Sequence, residues 1–179
     1  MDVRIVICGL GRVGQAFVGL LIQKDKELQS RYGLNLKVIA AVDIGGAAVS
    51  MEGLPLKDLQ AHLQKGGRVE DMPGFGKKGF TGKEALSAFP AGLLVETTPT
   101  NIRDGEPGMT HIQAALSHGH HVVTASKGPL VLQHKELKAL AEKSKVRLMI
   151  SAATAAALPT LDVGLSGLAG TEVLTAEGI

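Results

Sequence analysis

The stretch Arg4-Ile-Val-Ile-Cys-Gly9-Leu-Gly11-Arg-Val-Gly14 decides the fold of this 179-residue chain. A short β-branched run ends at a glycine, and the spacing Gly-x-Gly-x-x-Gly leads into a helix-like segment at 15–23. In such a strand–turn–helix unit, the first glycine permits a tight turn, the second lets backbone approach a pyrophosphate, and the third lets helix and strand pack closely. The order of elements predicts a dinucleotide site, and a plain tight turn is the alternative.

The start of the predicted helix strengthens this interpretation. Its free N–H groups and the positive end of its dipole favour the binding of phosphate groups. We therefore predict cofactor contacts along the whole turn, at Gly9, Leu10, Gly11, Arg12, Val13 and Gly14.

Composition narrows the class of protein. Hydrophobic residues make up 45% and charged residues 20%, which is typical of one globular domain of ordinary size. The net charge of +2 is too small to indicate nucleic acid or an anionic membrane. Cys8 is the single cysteine, so no internal disulfide can form and a reducing compartment fits. With no signal-peptide pattern and no apolar run of ~18 residues, we predict a cytoplasmic protein that binds no membrane.

A second motif lies at the end of the next predicted strand, 36–42, which stops at Asp43. An acid at this position hydrogen-bonds the adenosine ribose hydroxyls in dinucleotide-binding folds. Asp43 lies 29 residues after Gly14, further than the usual ~20, and a longer first helix accounts for the excess. An ordinary loop-capping role is the alternative. Because Asp43 would repel a 2′-phosphate and no arginine follows it directly, we predict NAD or NADP with a slight preference for NAD; Arg12 is the counter-argument.

Strands and helices alternate along the rest of the chain. Further strands are predicted at 93–95, 121–124 and 146–150, and helices at 16–26, 55–63, 109–117, 136–143 and 151–168. The glycine-rich connection 66–82 is assigned no role. This alternation predicts an α/β fold, a Rossmann-type doubly wound parallel sheet with helices on both faces. We predict a dinucleotide-binding domain at 1–170 and, at 171–179, the start of a strand leading into a substrate domain absent from this chain.

Polar segments follow two of these strands, at 96–101 and 125–130. Ligands of doubly wound sheets lie beyond the carboxyl ends of the strands, so we predict cofactor contacts here as well. The residues concerned are Thr97, Thr98, Pro99, Ser126 and Lys127. The threonine hydroxyls could donate to the cofactor or cap the next element. Three clustered histidines at 118–121 would not converge, and no metal site is predicted.

Taken together, the segments 9–14, 96–101 and 124–130 resemble homoserine dehydrogenase, and the resemblance covers essentially the whole chain as that family's amino-terminal nucleotide-binding domain. The resemblance implies an NAD(P)-dependent oxidoreductase of threonine and methionine biosynthesis that interconverts aspartate 4-semialdehyde and L-homoserine. It implies a homodimer for the full-length protein. Lys127 matches a family lysine at the cofactor and substrate junction, where its ammonium could bind a carboxamide or phosphate oxygen or assist proton transfer. A surface lysine in a turn is the alternative.

Two departures from the family pattern stand out. Ser126 replaces the usual asparagine before the lysine. The segment 151–159, Ser-Ala-Ala-Thr-Ala-Ala-Ala-Leu-Pro, replaces Glu-Ala-x-Val-Gly-Gly-Gly-Ile-Pro, whose glutamate and carbonyls hold a monovalent cation in the family. Alanine also lacks the backbone freedom of the replaced glycines. Two other functions therefore stay open: a non-catalytic nucleotide-binding or regulatory module, and another small aldehyde or imine reductase on the same fold.

Overall fold

A computed structural model describes residues 1–90, 92–156, 158–172, 174–175 and 177. The strands are β1 Asp2–Cys8, β2 Asn35–Asp43, β3 Gly46–Val49, β4 Gly76–Lys78, β5 Leu93–Glu96, β6 His121–Thr124 and β7 Leu148–Met149. The helices are α1 Arg12–Tyr32, α2 Leu56–Gln64, α3 Gly82–Ala88, α4 Gly108–Ser117, α5 Gly128–Lys143, α6 Ser151–Ala155 and α7 Thr160–Asp162. A 3₁₀ turn lies at Val69–Asp71 and a π-helical turn at Val163–Gly167.

The strands form one sheet in the order β4-β3-β2-β1-β5-β6-β7. The central strand β1 pairs in parallel with β2 on one side and with β5 on the other, and β6 and β7 continue the parallel arrangement. The predicted Rossmann-type α/β fold is confirmed. The sheet is mixed rather than wholly parallel, because β3 and β4 join the β2 edge as antiparallel strands. The order in which the chain adds strands reverses at β1, because β2 lies on one side of it and β5 on the other. Ligands of such sheets bind at this point.

Two apolar layers cover the two faces of the sheet. On one face, Ile5 and Ile7 of β1 pack with residues of α1 and α2 such as Val18 and Leu59. On the other face, Val6 of β1 belongs to a cluster with α3, α4 and α5. The alternation along β1 follows from the two-residue period of a strand, so one short segment anchors both layers.

Two predicted helix boundaries are wrong. Helix α1 ends at Tyr32 rather than near residue 26, and Gly33 closes it in the left-handed conformation with φ of 65°. Its last turns are exposed and carry Lys24–Glu27 and Arg31–Glu27 ion pairs, so apolar periodicity gives no signal there. Helix α5 begins at Gly128 rather than at residue 136, with proline in its first turn as helix starts favour. Non-helical backbone at Gln133 separates the two parts of α5.

The connection at 66–82 holds more structure than the sequence indicated. It contains the 3₁₀ turn, β4 and the start of α3. The last predicted helix, 151–168, is divided among α6, α7 and the π-helical turn. Of the strand predicted at 171–179, the residues Val173, Ala176, Gly178 and Ile179 lie outside the described part, and the described ones adopt no strand. Among the described residues, none of the helices is both long and apolar enough to span a membrane.

His120 is a buried histidine at the amino end of β6, with 1% of its surface exposed. Its Nδ1 accepts the Gly92 N–H at 3.1 Å, and its Nε2 lies 2.9 Å from the Leu86 carbonyl oxygen. The two contacts together require the neutral ring with the proton on Nε2. Burial is the main cause that lowers the pKa of His120 below its ordinary value, and the nearby His118 lowers it further.

The stability of the fold is expected to fall as the pH drops below about 6.5, the ordinary histidine pKa. Below that pH the unfolded chain binds a proton at His120, whereas the folded chain does not. The loss of stability continues until the pH reaches the lowered pKa of the folded chain. Urea unfolding between pH 5 and 8 measures the slope, at most about 1.4 kcal/mol per pH unit for one site. The His120→Asn variant keeps an acceptor for Gly92 and should show a shallower slope; an unchanged slope would contradict this role.

Candidate functional site at the carboxyl edge of the sheet

The glycine turn connects β1 to α1, and each of its glycines occupies a different environment. Gly9 has a φ of 93°, and its N–H donates to the Val42 carbonyl at 2.8 Å. A Cβ on Gly14 would collide with the Gly9 carbonyl oxygen, so this glycine allows α1 to pack against the strand end. A Cβ on Gly11 would meet no protein atom within 4 Å, so this position faces the open edge. The three environments match the three tasks predicted for the fingerprint glycines.

The first turn of α1 is suited to an anion. Gly11 is the N-cap and provides no side-chain cap, and no acidic residue lies in the first turn. Arg12 and Val13 are exposed there, and Leu10 is buried beneath the turn. Gln15 folds back over the turn, with its side-chain amide donating to the Leu10 carbonyl at 2.8 Å. The helix start therefore offers N–H groups without intrahelical partners, and the exposed Arg12 lies in the same turn.

Asp43 lies at the end of β2, beside the glycine turn, and its carboxylate is exposed. One carboxylate oxygen accepts the N–H of Ile44 at 2.9 Å, which leaves the other oxygen available. Asp43 and Ile44 line two adjoining grooves. The first also contains Leu10 and Arg68, and the second reaches across to Pro99. Asp43 is therefore placed as the ribose-binding prediction requires.

The larger groove is a cleft of about 610 Å³ between the ends of β2 and β5. Its lining includes Ile44, Phe80, Thr81, Pro99, Asn101 and His111. A largely apolar lining with a small number of polar groups is typical of small-molecule and cofactor sites. The α3 start contributes Thr81, which forms a capping box with Glu84.

The two threonines after β5 donate their hydroxyl protons within the protein. The Thr97 hydroxyl donates to the Gly9 carbonyl at 2.7 Å, and its N–H donates to the Cys8 carbonyl at 2.8 Å. The Thr98 hydroxyl donates to the buried carboxylate of Glu96. Both hydroxyls can still accept a hydrogen bond, but neither has a free proton for the cofactor. Their immediate effect is to hold the segment 97–101 after β5, called the β5 loop below, against the glycine turn.

Ser126 and Lys127 follow β6 and lie in different surroundings. Ser126 is 1% exposed, its N–H donates to the Thr124 hydroxyl at 3.0 Å, and its own hydroxyl has no hydrogen-bond partner among the described residues. That hydroxyl lies against Gly108 rather than the open edge. Lys127 is exposed at the N-cap of α5, with its N–H 3.3 Å from the Thr100 hydroxyl. The structure therefore brings Lys127 next to the β5 loop. The side chain of Ser126 does not face the cofactor site.

The segment that departs from the family pattern also has a strained residue. Ser151 begins α6 and its hydroxyl donates to the Asp162 carboxylate at 3.0 Å. Ala156 has a φ of 54° and a ψ of −108°, in a region that glycine occupies far more readily than alanine. The resemblance described above implies a glycine at position 156, and glycine would adopt this conformation without strain.

Sequence reasoning missed three contributions to the site. Arg68 and Glu70 form an ion pair of 2.5 Å that packs over Gly45, beside Asp43. His111 forms part of the cleft wall and contacts Glu96. The start of α3 could have been found from its Thr81-x-x-Glu84 capping box, a known signature of helix starts. No local pattern marks the other two.

Comparison with known proteins decides the family. Residues 9–151 match the family described as "Homoserine dehydrogenase, NAD binding domain". The chain belongs to this family. Homoserine dehydrogenase of Methanocaldococcus jannaschii is 34% identical over 98% of this chain and 52% of its own length. The NAD(+)-dependent homoserine dehydrogenase of Pseudomonas canavaninivorans is 28% identical over 99% of this chain and 51% of its own.

Solved structures agree with the assignment. A crystal structure of a putative homoserine dehydrogenase from Archaeoglobus fulgidus is 29% identical, covers 93% of this chain and has a TM-score of 0.74. A hyperthermophilic archaeal homoserine dehydrogenase in complex with NADPH shares the fold, with a TM-score of 0.79 at 23% identity. This chain covers 48% of each of those two chains. The chain thus spans about half the length of the homoserine dehydrogenases that it matches.

Proposed function

We propose that this chain is the cofactor-binding half of a homoserine dehydrogenase. It holds NAD or NADP at the carboxyl ends of β1 and β5. The observation that carries the proposal is the arrangement around Gly11. A turn with open space at its middle glycine precedes an uncapped helix start, and the ribose-binding acid Asp43 lies beside it. This is the arrangement that a pyrophosphate with an adjoining ribose requires.

The residues present suit each part of a bound dinucleotide. The first turn of α1, with Arg12, binds the pyrophosphate, and Asp43 accepts from the adenosine ribose. The cleft between Ile44 and Pro99 is large enough for the adenine. Lys127 lies on the β6 side of that cleft, toward the nicotinamide end, where the lysine can bind an oxygen of the cofactor or of the substrate. The cofactor supplies the hydride, and the chain supplies binding and orientation.

We propose that the whole enzyme interconverts aspartate 4-semialdehyde and L-homoserine as a cytoplasmic homodimer. Membership of the family and the similarity to complete homoserine dehydrogenases support this activity. A buried single thiol, Cys8, is compatible with a reducing compartment. Calorimetric titration of the chain with NADH and NADPH tests the central step, and failure to bind either would reject it.

Between the two cofactors, we expect NADH to bind more tightly than NADPH. Three charged groups, Asp43, Arg68 and Glu70, line the groove beside the proposed ribose site. Nε of Arg68 lies 2.5 Å from the Glu70 carboxylate, so the positive charge of Arg68 is already compensated by a nearly buried anion. The remaining local charge is that of Asp43, which disfavours a phosphate and favours a free hydroxyl.

The Asp43→Asn variant should strengthen NADPH binding by roughly tenfold, as expected for loss of one repulsive charge at close range. Glu70→Gln should act in the same direction, because it frees the Arg68 guanidinium. Asp25→Asn is the matched control, since this exposed carboxylate lies far along α1. Competitive titration of the two cofactors measures the ratio. Tighter NADPH binding by the unmodified chain would contradict the expected preference.

A further inference from the structure

The carboxylate of Glu96 lies at the end of β5, with none of its surface exposed. Its Oε2 is 2.8 Å from Nδ1 of His111 on α4. Its Oε1 accepts the N–H of Thr98 at 2.7 Å and also the Thr98 hydroxyl. A fully buried carboxylate is stable only when such donors surround it, so this network is held together as one unit.

The network determines which nitrogen of His111 carries a proton. Glu96 already accepts from Thr98, and a carboxylate can only accept, so Nδ1 of His111 must donate. The other ring nitrogen, Nε2, lies on the side of Gly82 and the cleft. The neighbouring Cys8 adds no second negative charge. Burial first, and then the charges of Glu96 and Asp43, raises the pKa of its thiol well above the ordinary value.

The same network extends to the glycine turn. A Cβ on Gly9 would lie 2.6 Å from the Thr98 nitrogen and 2.7 Å from the Thr97 carbonyl, so the β5 loop packs directly on this glycine. The nitrogen that contacts Gly9 is also the nitrogen that donates to Glu96. Any movement of the carboxylate would move the loop and with it the wall of the turn.

We propose that Glu96 and His111 are positioning residues for the dinucleotide. The proposal rests on the cofactor binding proposed above, and the pair has two roles in it. Glu96 holds the Thr98 loop against the glycine turn, and His111 fixes that carboxylate while forming part of the wall of the adenosine cleft. Neither side chain needs to touch the reacting atoms. The pair acts through the shape of the cleft into which the adenosine half of the cofactor packs.

Two other roles have to be distinguished from positioning. The pair could serve only to stabilise the fold, as many buried polar pairs do. Alternatively, atoms of Cys8, Glu96 and His111 lie within 4.8 Å of one another and could hold a metal ion. The metal alternative fits less well, because both oxygens of Glu96 are already engaged by His111 and Thr98, and the variants below separate positioning from stabilisation.

The experiment compares His111→Leu, His111→Gln and His120→Leu by their dissociation constants for NADH and for ADP-ribose. Leucine removes the donor to Glu96, whereas the glutamine amide can still donate. We expect roughly tenfold weaker binding in His111→Leu, a little below what loss of a direct hydrogen bond to a charged group produces, because the lost bond affects the cofactor only through the loop. We expect recovery to within about threefold in His111→Gln. His120→Leu removes a buried histidine at the opposite edge and should be destabilised without a change in affinity.

Binding is measured at a temperature at which circular dichroism shows every variant to be folded. Equal affinities of His111→Leu and the unmodified chain would overturn the proposal, and so would an equal loss in His120→Leu. Titrations with added Zn²⁺ and with a chelator test the metal alternative. An affinity for NADH that depends on zinc would also overturn the positioning proposal. If the unmodified chain binds neither NADH nor NADPH, the proposed function fails and positioning falls with it.

A measurement on the unmodified chain covers the case in which His111→Leu does not fold. Titration with NADH, followed by ¹⁵N NMR, should shift the Thr98 amide and the His111 ring signals and leave the His120 ring signals in place. The His111 ring should show its proton on Nδ1 before and after the titration. Unmoved Thr98 and His111 signals, in a chain that binds NADH, would contradict the proposal.

Discussion

Replacing Gly11 by leucine is expected to abolish measurable NADH binding, a loss of at least about a hundredfold, while the domain stays folded. Gly11 has a φ of −70°, which any residue adopts, and no protein atom lies within 4 Å of the position of a Cβ. The chain can therefore accept the side chain, which would then occupy the edge that the pyrophosphate approaches. The pyrophosphate would then lose contacts with N–H groups at the start of α1; a hydrogen bond to a charged group contributes about 1.5–3 kcal/mol, so losing two is enough for about a hundredfold. Calorimetry measures binding, and thermal unfolding measures the fold.

Two further glycine variants make the result specific. Gly14→Ala should damage the fold itself, because its Cβ would collide with the Gly9 carbonyl oxygen. Gly164→Leu adds the same side chain as Gly11→Leu at a distant position with no heavy atom within 4 Å, and should affect neither property. Gly11→Leu binding NADH as tightly as the unmodified chain would mean that the pyrophosphate does not lie at this turn.

The glycine turn could be predicted because its requirements are local. A tight turn, a close approach and a helix packed on a strand each demand glycine at a fixed spacing, and residues 9–14 show that spacing within a strand–turn–helix unit. Asp43 could be predicted in the same way, since its place at a strand end follows from chain order. Both predictions concern which residues follow the carboxyl end of a strand. In the structure the glycine turn follows β1, and Asp43 ends β2.

The direction of side chains and contacts between distant segments could not be predicted. Thr97, Thr98 and Ser126 were predicted as cofactor contacts from their position after a strand, but the hydroxyls of both threonines donate within the protein and that of Ser126 is buried. Arg68 lines the same groove as Asp43, at the side of the sheet where β3 and β4 fold back antiparallel to β2. His111 meets Glu96 across 15 residues of chain. These pairings depend on tertiary packing, for which the sequence carries no periodic signal.

Assayed by itself, the 179-residue chain is expected to bind cofactor and yet to show no measurable homoserine-dependent reduction of NAD or NADP. Orienting a substrate against the nicotinamide can contribute roughly 7–11 kcal/mol to catalysis, and that requires a second wall over the strand ends. In the described part of this chain, the residues that lie with Lys127 belong to the β5 loop and to the turn before α5. All of them form part of the cofactor domain. The chain spans about half the length of the homoserine dehydrogenases it matches.

Lys127 provides the decisive control for this expectation. In a homoserine dehydrogenase with both halves present, Lys127→Ala should lower kcat by about 10²–10⁴, the usual contribution of a group that assists proton transfer. Lys138→Ala removes another lysine of α5, which lies beyond the non-helical Gln133 and away from the carboxyl ends of the strands. This variant should leave kcat unchanged. Turnover by the 179-residue chain in the common enzyme range of about 1–10³ per second, lost in Lys127→Ala, would contradict the expectation. Such a result would mean that the edge carrying Lys127 orients homoserine without a second wall.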